Sequence, residues 1–282
     1  MSILESNNHN RDIAGLKYIY PVLSRRAGGL SVGINFNTNN ACNWRCIYCQ
    51  VPDLKLGAAP EMDFQSLEDE LRFFLQTVLQ GDFYQRFQVA EHQRVIKDIA
   101  ISGNGEPSSL KDFTKAVELI GQVATELGVF PDSHYVLITN GSLIHLPKVQ
   151  DGLKVLKTYG GEVWFKFDSA TEQGQTLINN AQQSCQSHIN NLILATQYCP
   201  TKLQICLLDC DSKGLTEKEQ TALLDLLANS KANTDLQSVM LYTIARPSLQ
   251  PEASQLAPLS IVVLNGLADE IRRMGFDVSV SV

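Results

Sequence analysis

The chain has 282 residues, 44% of them hydrophobic, and a formal net charge of −7. That length and apolar content suffice for one large core, and the acidic balance argues against a broad surface for duplex nucleic acid, though not against a local basic pocket. The apolar runs are strand-sized, as at Ile205–Leu208, and none approaches the roughly 20 residues that span a bilayer.

Met1 to Arg11 is polar and Asn-rich, without the apolar core of a signal peptide. The pair Arg25-Arg26 is followed by Ala27-Gly28-Gly29 and a strand pattern, not by an apolar export segment. A cytoplasmic location is therefore expected. Residues 30–37 alternate and predict a first strand. Leu67, Leu71, Phe74, Leu75 and Val78 form one stripe of a helix over residues 64–79, with Asp63 as its cap. A strand over 95–102 and a helix over 110–127 stopped by Gly128 follow. Next come a strand over 135–139, a helix over 145–159 and a strand over 162–167, in which Trp164 and Phe165 read as core. The Gln/Asn-rich stretch 171–186 reads as a surface segment. A helix over 187–198 and a strand over 203–208 precede a helix over 216–229, opened by Thr216 and Glu219 as a capping box. A strand over 238–243, a proline-rich loop over 245–258, a helix over 260–274 ended by Gly275 and a strand over 276–282 complete the chain. Alternating strands and helices imply βαβ units around a parallel sheet. Six units are fewer than the eight of a closed barrel, so an open doubly wound sheet or a partial barrel fits.

Seven cysteines in a chain of this size are not the framework of a small disulfide domain. Three of them, Cys42, Cys46 and Cys49, stand three and two residues apart just after the first strand, where parallel α/β folds bind ligands. Thiolates are soft ligands suited to iron–sulfur clusters or zinc. A structural zinc site wants four ligands, and no fourth Cys or His lies nearby; His92 is the next. A four-iron cluster held by three cysteines instead leaves one iron open to a small molecule.

The other strand ends carry polar groups. Ser102-Gly103-Asn104-Gly105-Glu106-Pro107 follows the second strand, where glycines let backbone approach a ligand and a glutamate can accept from an ammonium. Thr139-Asn140-Gly141 follows the third. Lys166 and Asp168 close the fourth on one face, a charged pair that is costly in an interior unless it serves a ligand or a partner. Arg246, after the sixth, can grip a carboxylate or phosphate.

The cysteine spacing with an aromatic residue, Tyr48, before the last thiol resembles the signature of the radical S-adenosylmethionine (SAM) superfamily. The resemblance implies a partial (β/α)6 TIM-like barrel, a mostly parallel sheet formed by residues 30–282 with residues 1–29 as an extension. It implies a 4Fe-4S cluster on Cys42, Cys46 and Cys49, with the methionyl group of SAM on the open iron and Tyr48 beside the adenine. Gly103, Asn104, Gly105 and Glu106 then match a GGEP motif for the methionyl amine, with Gly-Asn-Gly replacing Gly-Gly. Asn140 falls in a segment near the cofactor, and Lys166 and Asp168 would meet the ribose or the methionyl carboxylate. The segment around Arg246 resembles a subset that includes wyosine-forming tRNA enzymes. The expected partners are a one-electron donor such as flavodoxin or ferredoxin and a small-molecule, peptide or RNA substrate, with no membrane. The absence of a cysteine-rich stretch after the last strand lowers the expectation of a peptide. An iron–sulfur scaffold or electron carrier is the non-enzymatic alternative. Cys185, Cys199, Cys206 and Cys210 match no compact cluster loop and read as free thiols in the main. No P-loop and no Ser-His-Asp arrangement is visible.

Overall fold

The computed structural model describes residues 14–24, 28–236 and 238–282. The polar start Met1–Arg11 and the Arg25-Arg26 pair lie outside the described residues.

Eight strands form one sheet in chain order: β1 (Ile19–Ser24), β2 (Gly29–Asn35), β3 (Ile96–Ser102), β4 (His134–Thr139), β5 (Glu162–Lys166), β6 (Thr201–Cys206), β7 (Ser238–Tyr242) and β8 (Asp277–Ser281). Neighbours from β2 to β8 run parallel. Helices α1 (Phe64–Gln80), α2 (Phe113–Glu126), α3 (Pro147–Thr158), α4 (Cys185–Tyr198), α5 (Glu217–Asn233) and α6 (Ile261–Arg273) supply the crossovers. Residues of β1 and of β8 line the same cavity, so the sheet curls until its two edges face one interior without pairing. This is the expected partial (β/α)6 barrel.

Local chemistry sets the helix ends. Asp63 accepts from Ser66 N at 3.1 Å at the start of α1, and Ser184 caps α4, which begins at Cys185, two residues before the expected start. Thr216 caps α5 by accepting from Glu219 N at 3.3 Å. The reciprocal half of the expected capping box is not made. The Glu219 carboxylate accepts instead from Ser169 Oγ at 2.6 Å and from Thr171 Oγ1, tying α5 to the end of β5.

Along each inner strand, alternate side chains face helices or cavity. Leu203 and Ile205 join the core while Gln204 and Cys206 line the cavity. Phe165 is core as expected, but Trp164, one residue earlier, stands on the cavity wall.

Three segments differ from the sequence reading. β1 was not foreseen because Pro21 lies within it; it is an antiparallel edge strand, where proline costs least. Residues 171–186 are not a plain surface segment: a π-helical turn, Gln175–Asn179, buries Gln175 and Asn179. The loop 245–258 contains a 3₁₀ turn, Pro251–Gln255, and a short strand, Leu256–Pro258, that pairs antiparallel with Leu208–Cys210.

Candidate active site

The cysteine loop follows β2 and is fixed at its base. Ala41–Cys42 pairs with Lys55–Leu56, and Gly57 N donates to Cys42 O at 2.9 Å. On one side the π-helical turn holds it: Ile47 N donates to Ile178 O at 2.8 Å and Asn180 Nδ2 to Arg45 O at 2.9 Å. On the other side the 248–252 strap crosses it. Leu249 N donates to Cys49 O at 2.9 Å, Ser248 Oγ to Ile47 O at 2.7 Å, and Arg45 grips Glu252 with both guanidinium ends at 2.7 and 2.8 Å.

So held, Cys42, Cys46 and Cys49 line one wall of a cavity of about 680 Å³. Burial pushes the Cys42 thiol up to about 12 and the Cys46 thiol up to about 11; Lys166 and Asn179 oppose the shift at Cys46. Protonated thiols of this kind become good ligands when a metal displaces their protons. Among the described residues, no three His, Cys, Asp or Glu side chains converge on one point as a mononuclear ion requires. A donor set of three separate soft thiols facing one cavity fits a cluster, in which each thiolate binds a different iron.

The Ser102–Pro107 segment forms the wall beside them. Gly103 has φ +124°, and a Cβ there would lie 2.4 Å from Asn35 Oδ1; a Cβ on Gly105 would lie 2.0 Å from Ala41 O. Both glycines therefore let this wall press against the base of the cysteine loop. Asn104 lines the cavity and donates to Asn40 Oδ1 at 2.6 Å, while its own Oδ1 is buried with no hydrogen-bond partner. An unpartnered buried acceptor in a residue of the cavity wall is a group that a donor of a bound molecule can satisfy.

Glu106 also borders the cavity, but its carboxylate is largely used within the fold. Ser108 N (3.0 Å), Ser108 Oγ (2.5 Å) and Thr139 Oγ1 (2.6 Å) donate to Oε1, and Asn140 N (2.7 Å) donates to Oε2. Burial raises its pKa and these donors oppose the rise. The Asn140 amide is likewise engaged: it donates to Asn43 Oδ1 at 2.9 Å and accepts from Ser142 Oγ at 2.7 Å. Glu106 thus binds the end of β3 to the end of β4, and Asn140 binds the end of β4 to the cysteine loop.

Lys166 projects from β5 into the cavity and donates to Tyr242 Oη at 2.9 Å. Its ammonium lies 3.9 Å from Asp168 and 5.0 Å from the Tyr48 ring centre. Burial opposes its charge, but Asp168 with Tyr242 and the thiols outweighs that and holds its pKa well above the usual lysine value. Asp168 itself does not line the cavity. It accepts from the Tyr48 hydroxyl, from Asn179 Nδ2 at 2.7 Å and from Cys206 N at 2.9 Å. Arg246 lines the mouth and donates to Gln50 Oε1 at 3.2 Å.

The cavity therefore gathers Cys42, Cys46, Cys49, Tyr48, Gly103, Asn104, Gly105, Glu106, Asn140, Lys166 and Arg246, and leaves Asp168 behind its wall. Among the residues that sequence reasoning did not place here and that also face it are Trp164, Gln204, Cys206 and Tyr242. Period-two alternation with Lys166 marks the first, but only the pairing of β5, β6 and β7 brings the others level with it. Cys185 and Cys199 lie in the main core, apart from Cys206 and Cys210. No described helix is long and apolar enough to cross a membrane.

Comparison with known proteins places these features. The family described as the Radical SAM superfamily matches residues 36–218, well over half of the chain. A UPF0026 protein of Helicobacter pylori (strain J99) is 30% identical over 136 residues, covering 48% of this chain and 38% of its own length. The chain spans well under half the length of the curated relatives it matches, 20% of one and 38% of another. A radical SAM methyltransferase from Sphaerobacter thermophilus superposes with a TM-score of 0.60 at 12% identity, covering 93% of this chain and 68% of that one. A structure of TYW1 with a lysine-pyruvate adduct bound gives 0.58 at 12% identity, covering 88% and 74%. At such identities the likeness is one of fold.

Proposed function

The chain belongs to the radical SAM superfamily, and from that premise we propose that it is an enzyme whose Cys42, Cys46 and Cys49 hold a 4Fe-4S cluster with one iron left to the methionyl group of SAM. When bound there, a cluster reduced by an external one-electron donor would supply the electron for reductive cleavage of SAM and so the radical chemistry that removes hydrogen from a substrate. The observation that carries the reading is the meeting of three thiols with an orphan acceptor and a buried cation in one cavity.

The chain's own residues have separate tasks in this reading. Asn104 Oδ1 accepts from the α-ammonium of SAM, and Lys166 keeps an N–H for an anionic oxygen of cofactor or substrate. Lys166 is held protonated, which suits it to a charge partner and not to an amine nucleophile. Glu106 and Asn140, on the wall itself, and Asp168, behind it, position: their side chains are used within the fold to fix the segments that carry the other ligand-facing groups. The Tyr48 ring borders the cavity while its hydroxyl is anchored on Asp168. Trp164, Gln204 and Tyr242 lie on the wall beyond Lys166 and are assigned to the substrate.

The test is anaerobic reconstitution with iron and sulfide, reduction by dithionite or a flavodoxin, and chromatography for 5′-deoxyadenosine. Wild type should show a cubane electron paramagnetic signal and form the product; Cys42→Ser, Cys46→Ser and Cys49→Ser should each lose both. Cluster without product would favour an electron carrier, and absence of cluster would defeat the reading. A small molecule is the substrate class best suited to a cavity inside the curl and a net charge of −7. A gel shift with total tRNA would move the reading to RNA.

A further inference from the structure

Asn179 ends the π-helical turn and is 1% exposed. Its amide nitrogen has two hydrogens and two partners: Asp168 Oδ2 at 2.7 Å and Cys46 Sγ at 3.3 Å. The direction of this amide is over-determined. Reversing it would set Oδ1 against the buried Asp168 carboxylate, which is repulsive. The turn is also fixed to the cysteine loop on both sides of Cys46, through Arg45 N to Asn179 O at 3.2 Å and Ile47 N to Ile178 O at 2.8 Å.

We propose that Asn179 is a positioning residue that directs an N–H at the Cys46 sulfur, stabilises it as thiolate and raises the reduction potential of the cluster it binds. The inference rests on the reading of Cys46 as a cluster ligand. A hydrogen bond to a ligating sulfur withdraws negative charge from it. The reduced cluster carries one more negative charge than the oxidised one, so it gains more from that bond. Asp168 has two effects. Its charge alone disfavours reduction, and Lys166 at 3.9 Å offsets that. Its acceptor oxygen takes one amide hydrogen and thereby aims the other at sulfur.

The experiment is a potentiometric titration, followed by electron paramagnetic resonance, of reconstituted protein without SAM. Asn179→Ala should keep its iron content but fall in midpoint potential. At fixed ambient potential its reduced-to-oxidised ratio should drop about tenfold, which is 59 mV for a one-electron couple. Asn179→Asp, which replaces the N–H by a charge, should fall further. Asn180→Ala is the control: Asn180 Nδ2 anchors the same loop through Arg45 O without touching sulfur, and its potential should match wild type. An unchanged potential in Asn179→Ala overturns the inference. So does loss of the cluster from both Asn179 variants with retention in Asn180→Ala, which would make the residue a structural clamp. Failure of the wild-type protein to take up a cluster overturns the underlying reading of the cysteines instead, so the two failures are told apart.

Discussion

At Glu106, one carboxylate satisfies four donors that come from two different strand ends. Replacement by glutamine keeps the volume but turns one acceptor into a donor facing donors. Glu106→Gln should therefore lose roughly 1–3 kcal/mol, the range for an unsatisfied buried polar group, read as a lower urea midpoint at unchanged slope. Its effect on SAM binding should be indirect, through the Asn140 segment. Asn104→Leu is the contrasting case. It removes an acceptor that has no internal partner, so SAM affinity should fall, by calorimetry on reconstituted protein. Stability should change less than in Glu106→Gln, although the donor to Asn40 is lost as well.

The strap and the π-helical turn act as elements, because each holds the cysteine loop through several bonds at once. Arg45–Glu252 is the strap's ionic contact, with side chains 33% and 25% exposed. Exposed ion pairs contribute up to about 1 kcal/mol. Glu252→Ala should accordingly leave global unfolding within about 1 kcal/mol of wild type. Limited proteolysis should nonetheless cut the 43–52 loop faster, since local opening of that loop costs less than global unfolding. Equal cleavage rates would show that Ser248 and Leu249 suffice. The two elements were not legible in the sequence for a shared reason. Gln/Asn-rich and Pro-rich stretches look like solvated loops by composition, and only their partners on the cysteine loop make them ordered.

For the whole molecule, His188 on α4 couples stability to pH. Its ring is 1% exposed, stacks on Phe167 at 4.4 Å and meets Trp44 of the cysteine loop edge-on at 5.3 Å. Burial lowers its pKa to about 4. Between that value and the ordinary 6.5 the unfolded chain binds a proton that the native protein does not, so stability rises with pH there. Acidification from pH 6.5 to 4 should cost on the order of 3 kcal/mol from this group. A His188→Gln variant should show a shallower decline in urea midpoint over the same window; an equal slope would assign the acid sensitivity elsewhere. The alternation of strands and helices from β2 to β8, the parallel sheet they imply and the spacing of the cysteines were determined by sequence alone, because strand and helix periods and a short loop are local properties. Which polar residues are used up within the fold and which are left toward the cavity was decided only by the tertiary structure. Glu106, Asn140 and Asp168 are chemically fit for either task, and the curl of the sheet brings donors from distant segments to consume them. The same curl turns Trp164 and Gln204 inward and sets Asn179 beside Cys46, since alternation along a strand defines two faces and only closure of the sheet says which of them encloses the cavity.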